Sequence, residues 1–205
     1  HGWHVIGAMR TPDAGLDRIR AATGAGVADP RLTGVRLNLT DPASIQDAVG
    51  AILDVVEAPF GLVHNAGVVS VGCAEELPFS VFEQIFTTNV FGAVRLTSAL
   101  LPAMRAAGRG RIVVISSEGA VHGMPGISAY SASKGALERW AEALALEVAP
   151  FGIGVSVLVA GTFGTDILRE RSYVFLLGSR FFILMATGFF MNLNILYMER
   201  TFGLV

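Results

Sequence analysis

The sequence predicts an α/β fold in which a parallel sheet is covered by helices on both faces, and two observations predict it. Short apolar runs of strand length alternate with longer helical stretches along most of the chain. The runs themselves, Arg111-Ile112-Val113-Val114-Ile115-Ser116 among them, are too apolar for a sheet with one wet face and suit strands buried on both sides. At 205 residues the chain is long enough to bury a substantial core in a single main domain.

The elements follow in order. Residues 3–9 read as a strand and 14–22 as a helix. A second strand over 35–39 leads into Thr40-Asp41-Pro42, where an acceptor side chain followed by proline marks the start of a helix over 43–56. Residues 60–64 make the next strand, and a long helix over 80–107 carries Asn89. Pro102 should bend that helix or break it, because proline lacks the N–H and its ring crowds the preceding turn. A strand over 111–116, a helix over 129–149 and a strand over 153–159 complete the pattern.

Composition narrows the function. A net charge of -2 gives no broad electrostatic basis for binding nucleic acid, which is not expected as a partner. The single cysteine, Cys73, excludes an intramolecular disulfide and fits a reducing compartment, so a cytoplasmic location is expected. The four histidines show no metal-ligand spacing, and no metal site is expected.

The most informative stretch is Tyr130-Ser131-Ala132-Ser133-Lys134, a Y-x-x-x-K element thirteen residues after Ser117. Four residues is about one helical turn, so Tyr130 and Lys134 project from the same helix face. An ammonium held near a phenol favours the phenolate, because the adjacent positive charge stabilises the ionised form. The pair is thereby suited to acid/base work.

Further elements stand in a fixed order around it: His64-Asn65-Ala66-Gly67 after a strand, Asn89 in the long helix, Ile115-Ser116-Ser117 at a strand end, and Ala160-Gly161-Thr162-Phe163-Gly164-Thr165 after the last strand. With Y-x-x-x-K they resemble the classical branch of the short-chain dehydrogenase/reductase family over residues 3–168. The resemblance implies a Rossmann-type, doubly wound parallel sheet in a three-layer αβα arrangement, with 1–170 as that domain and 171–205 as a divergent hydrophobic tail. It implies Tyr130 as general acid/base, Ser117 as the hydroxyl that orients the substrate oxygen, and Asn89 as part of a proton relay. Lys134 would assist Tyr130 and hydrogen-bond the nicotinamide ribose.

The cofactor-binding residues implied are Arg10, Asn38, Leu39, Asn65, Ala66, Gly67, Tyr130, Lys134, Gly161 and Thr165. His64 replaces the first asparagine of the family's N-N-A-G, Asn38 stands where an aspartate is usual near the adenine, and Ala160 replaces the proline of P-G-x-x-x-T. At the end of the first strand Met9 and Arg10 take the place of an acidic residue. An arginine there favours a 2′-phosphate and hence NADP(H) over NAD(H). Glu118 and His122 are candidates for the substrate pocket or a solvated loop pair.

The chain also departs from the family. No strand with a T-G-x-x-x-G-x-G turn precedes residue 3, and Thr23-Gly24-Ala25-Gly26-Val27 is a decoy that follows a helix instead of a strand. His1 in place of methionine points to a start within a longer reading frame, and strands that should pair with the missing one are expected to keep unpaired backbone groups. Residues 181–198 carry no formal charge over eighteen positions, readable as divergent sequence, a buried helix or a membrane anchor. The expected function is an NADP(H)-dependent oxidoreductase interconverting a carbonyl and an alcohol on a small apolar molecule. The alternatives are a catalytically inactive fragment and a membrane-attached reductase. The helices over 80–107 and 129–149 are expected to form the interface of a homodimer or homotetramer.

Overall fold

The structure is a computed structural model and describes residues 3–24, 26 and 29–160. The expectations for Gly161, Thr165, the tail 171–205 and the anchor 181–198 lie outside the described residues.

Five strands and their helical connections alternate: β1 (Val5–Met9), α1 (Pro12–Thr23), β2 (Leu32–Arg36), α2 (Pro42–Val55), β3 (Gly61–His64), α3 (Phe79–Phe86), a π-helical turn (Thr87–Phe91), α4 (Gly92–Ala106), β4 (Gly110–Ser117), α5 (Glu118–Val121), α6 (Ser128–Val148) and β5 (Ile153–Ala160). Local chemistry sets several boundaries. Asp41 accepts the Ala43 N–H at 2.9 Å while Pro42 supplies the first helical residue of α2. Gly24, at φ 69°, closes α1 in the left-handed region, which makes the Thr23-Gly24 decoy a helix end.

Two expectations need correction. β2 runs over Leu32–Arg36, three residues earlier than 35–39. Gly34 lets α1 lie against it, since a Cβ there would meet Leu16 Cδ1 at 2.8 Å. After Leu37, whose N–H still reaches the Met9 carbonyl at 2.9 Å, Asn38 turns the chain out of the sheet by accepting the Thr40 N–H at 3.2 Å. Nor does Pro102 end its helix: α4 continues through it, and the irregularity falls at Thr87–Phe91, around Asn89.

All pairings are parallel, in the order β1-β2 in one piece and β3-β4-β5 in another. Register runs from Val5↔Leu32 to Met9↔Arg36, from Gly61↔Arg111 to His64↔Val114, and from Gly110↔Ile153 to Ser117↔Ala160. Among the described residues β1 and β3 are each paired on one side only. These are the two strands that would flank a first strand in the doubly wound order, and Trp3 and Phe60, just before them, stack at 5.5 Å.

Packing joins the two pieces into one core. Val35 and Leu37 cluster with Ile45, Ala48, Val49 and Ile52 of α2 and Leu96 and Leu100 of α4, and Ile6 of β1 and Leu62 of β3 both pack against that cluster. Successive residues of β2 therefore face different helices, Gly34 toward α1 and Val35 toward α2 and α4, which produces three layers. Beneath β4, α4 and α6 meet: Met104, Ile112, Leu144, Val148 and Ile153 form one cluster and Ala93, Val114, Leu137 and Ala141 another. Truncating a fully buried side chain such as Met104 would cost about 2–5 kcal/mol. No helix among the described residues is long and apolar enough to cross a membrane.

Candidate active site

Parallel strands place all their C-terminal ends on one edge of a sheet, and the candidate residues sit there. Arg10 follows β1, Asn38 and Leu39 lie just past β2, Asn65 to Gly67 follow β3, and Ser117 is the last residue of β4.

Ser117 caps α5, its Oγ accepting the Gly119 N–H at 3.2 Å, which leaves the hydroxyl hydrogen for another acceptor. A Cβ on Gly119 would stand 3.6 Å from Ser117 Oγ and 3.5 Å from Tyr130 Cε1, so both adjoin a residue with no side chain to separate them. One turn along α6, Lys134 is 4 % exposed and donates from Nζ to the Ile115 carbonyl at 2.8 Å. Its Nζ lies 5.9 Å from the centroid of the Tyr130 ring. Burial disfavours the ammonium and brings Lys134 down to about 8, so it remains mostly charged at neutral pH.

Asn89 sits at the centre of the π-helical turn and is buried. Its Oδ1 accepts the Val68 N–H at 2.8 Å, and its Nδ2 donates to the Val68 carbonyl at 2.9 Å and to Ser133 Oγ at 3.0 Å. Ser133 in turn donates to the Tyr130 carbonyl at 2.8 Å. This chain of bonds ties the loop after β3 to α6 between Tyr130 and Lys134. Gly67 lies inside it: a Cβ there would come within 3.5 Å of Lys134 Nζ and 3.6 Å of Asn89 Oδ1. The missing side chain leaves the Gly67 backbone directly beside the buried ammonium.

The other end of the site is built differently. Asn38 accepts from Thr40 N and Oγ1 at 3.2 and 2.9 Å, which occupies its carbonyl oxygen. Leu39 is a packing wedge: a Cβ on Gly92 would meet its Cβ at 2.6 Å and its carbonyl oxygen at 2.7 Å, so the start of α4 touches it backbone to side chain. Arg10 is exposed, as are Asn65, Ala66, Glu118 and His122. The structure thus gathers Gly67, Asn89, Ser117, Tyr130 and Lys134, and sets Arg10, Asn38 and Leu39 beyond the ends of the other pair of strands.

Three residues take a supporting role that only the structure shows. Ser133 links Asn89 to Tyr130, and its only signal was its place inside Y-x-x-x-K. His64 is buried and bonds Thr97 Oγ1 through Nε2 at 2.7 Å, with its ring edge-on to Trp140 at 6.1 Å. Burial pushes that imidazole down to about 4, so it is neutral at physiological pH and tethers β3 to α4. Glu138 bonds Ser116, next to Ser117.

Parallel strands with helices between them and candidate polar residues gathered at their C-terminal ends define a doubly wound, nucleotide-binding class of fold. The chain belongs to the short chain dehydrogenase family, whose model matches residues 1–173. It is 36% identical over 165 residues to the uncharacterized oxidoreductase YbbO of Escherichia coli (strain K12), covering 80% of this chain and 58% of that one. It is 35% identical over 164 residues to retinol dehydrogenase 8 of Homo sapiens, covering 80% of this chain and 51% of the relative. Among solved structures, a short-chain dehydrogenase from Streptomyces avermitilis superposes with a TM-score of 0.73 at 42% identity, over 81% of this chain and 60% of that chain. The chain spans somewhat over half the length of the curated relatives it matches. Its α/β parallel architecture is the Rossmann-type fold of these neighbours.

Proposed function

We propose that this chain forms the catalytic part of an NADP(H)-dependent oxidoreductase that interconverts a carbonyl and an alcohol on a small apolar molecule. The observation that carries the reading is the placement of Ser117 and Tyr130 beside Gly119, and of a buried, charged Lys134 one turn along α6 beside Gly67. The residues fit a nicotinamide nucleotide: Gly67 leaves the space beside Lys134 Nζ that a ribose would occupy, Asn65 and Ala66 are accessible at the strand end, Asn38 offers amide donors, and Arg10 offers a guanidinium for a 2′-phosphate. When bound, that group supplies or takes up the hydride.

The chain's own residues then divide the remaining work. Ser117, its oxygen already accepting Gly119 N–H, donates its hydrogen to the substrate oxygen and orients it. Tyr130 gives its phenolic proton to that oxygen during reduction and removes it during oxidation. Lys134 holds a positive charge beside the ring, fixed by the Ile115 carbonyl. Asn89 and Ser133 hold α6 against the loop after β3, so that Tyr130 and Lys134 keep their places relative to Gly67.

Assembly belongs to the same reading. Leu146 on α6 is 81% exposed and Phe91, the last residue of the π-helical turn before α4, is 48% exposed, apolar surface that pairing of these helices in a homodimer or homotetramer would cover. The function is tested by incubating the full chain with NADPH or NADH and a panel of apolar aldehydes and ketones while following absorbance of the reduced nicotinamide. Carbonyl-dependent oxidation of NADPH is expected. Nucleotide binding without turnover on any member of the panel would favour the inactive homologue.

A further inference from the structure

The end of β4, Ile115-Ser116-Ser117, is gripped by α6 at two successive residues. Lys134 Nζ holds the Ile115 carbonyl at 2.8 Å, and one residue on, Ser116 Oγ donates to Glu138 Oε1 at 2.5 Å. Lys134 and Glu138 are one helical turn apart and leave the same side of α6. Ser116 is 3% exposed and Glu138 8%, so the bond is made away from water. The second carboxylate oxygen faces outward, 3.8 Å from the Arg139 guanidinium at the rim.

A buried carboxylate is a demanding way to join a strand to a helix, because its desolvation opposes the gain. Apolar contacts such as Val114 on Leu137 and Ala141 already supply adhesion along this interface. What a charge-assisted hydrogen bond adds is direction: it is short, and it holds only at one register of the two elements. The next residue along the strand is Ser117, and the far wall of the site is Tyr130, on the same helix as Glu138.

We infer that Glu138 is a positioning residue, which fixes the tip of β4 on α6 through the Ser116 hydroxyl and thereby sets Ser117 against Tyr130. The inference rests on the reading of Ser117 and Tyr130 as the reacting pair. Glu138 acts through its hydrogen bond with Ser116.

The experiment compares Glu138→Ala, Glu138→Gln, Ser116→Ala and the Glu138→Ala/Ser116→Ala double variant in the full chain, by steady-state kinetics and by amide hydrogen exchange over residues 115–121. Glu138→Ala should lower kcat by roughly ten- to a hundredfold with KM for the carbonyl substrate nearly unchanged, the loss a small misplacement produces. Glu138→Gln keeps an oxygen for the Ser116 hydrogen and should recover most of the rate. Ser116→Ala should match Glu138→Ala, and the double variant should be no worse than either. Faster exchange over 115–121 should accompany Glu138→Ala, Ser116→Ala and the double variant, which all lack the bond, and not Glu138→Gln.

Wild-type kcat in Glu138→Ala, equal losses in the Ala and Gln variants, or multiplicative losses in the double variant would overturn the proposal. So would unchanged exchange in a folded Glu138→Ala protein. Full turnover by Tyr130→Phe would instead overturn the reacting pair, and the exchange comparison would still decide whether Glu138 orders the tip.

Discussion

The side-chain amide of Asn89 donates to Ser133 Oγ across 3.0 Å, joining the π-helical turn to α6 at the residue before Lys134. Because the same amide also takes and gives a hydrogen bond at Val68, one side chain holds three segments in place. Asn89→Ala leaves the Val68 N–H and carbonyl and the Ser133 hydroxyl without that partner. A loss of about 2–4 kcal/mol is expected from urea unfolding, at the cost typical of several polar groups left unpaired. Asn89→Asp keeps the acceptor for Val68 N–H and loses both donors, so an intermediate loss is expected. Unfolding midpoints equal to wild type would show that these bonds contribute nothing.

Tyr130→Phe removes the transferable proton and little else. Turnover should fall by roughly 10²–10⁴-fold with nucleotide affinity within a few-fold of wild type, as measured by fluorescence titration and steady-state rates. Lys134→Ala should reduce both, because Nζ adjoins the space beside Gly67 as well as the Tyr130 ring. More than about a tenth of the wild-type rate in Tyr130→Phe would remove it from the acid/base role.

Much of the fold was legible because β4 and β5 are apolar runs bounded by helical stretches, and the motif spacings located Tyr130, Lys134 and Ser117 on their elements. β2 was displaced because Gly34 weakens the strand signal at the place where α1 requires it. A π-helical turn has no residue signature, so the long helix reads as regular at Asn89 and as bent or broken at Pro102, whose steric conflict is the familiar cause. The four residues of α5 are too few to show a period. The Ser116–Glu138 bond joins positions 22 apart, and only the packing of α6 on β4 brings them together.

Arg10 stands at the end of β1, and no carboxylate lies between Met9 and Asp13. Its guanidinium is exposed and suited to a bidentate contact with phosphate oxygens. Arg10→Ala should lower the NADP/NAD ratio of kcat/KM by about tenfold or more, equivalent to roughly 1.4 kcal/mol. An unchanged ratio would make Arg10 a solvated cation with no part in cofactor choice.

His64 gives the fold a pH dependence with a definite sign. In the folded chain its imidazole is buried, bonded to Thr97 and held down to about 4, whereas an unfolded histidine titrates near its ordinary value of 6.5. Between those values the unfolded chain binds a proton that the folded chain refuses. The contribution is therefore present in full above about pH 6.5 and is lost as the pH falls from there through about 4, to a limit of roughly 3 kcal/mol. Urea unfolding at pH 7, 5.5 and 4.5 should show this loss in wild type, added to whatever the carboxylates contribute. His64→Gln, which has no proton to gain, should be less stable at pH 7 yet lose less over the same range. Parallel stability curves for the two proteins would show that His64 does not carry the dependence.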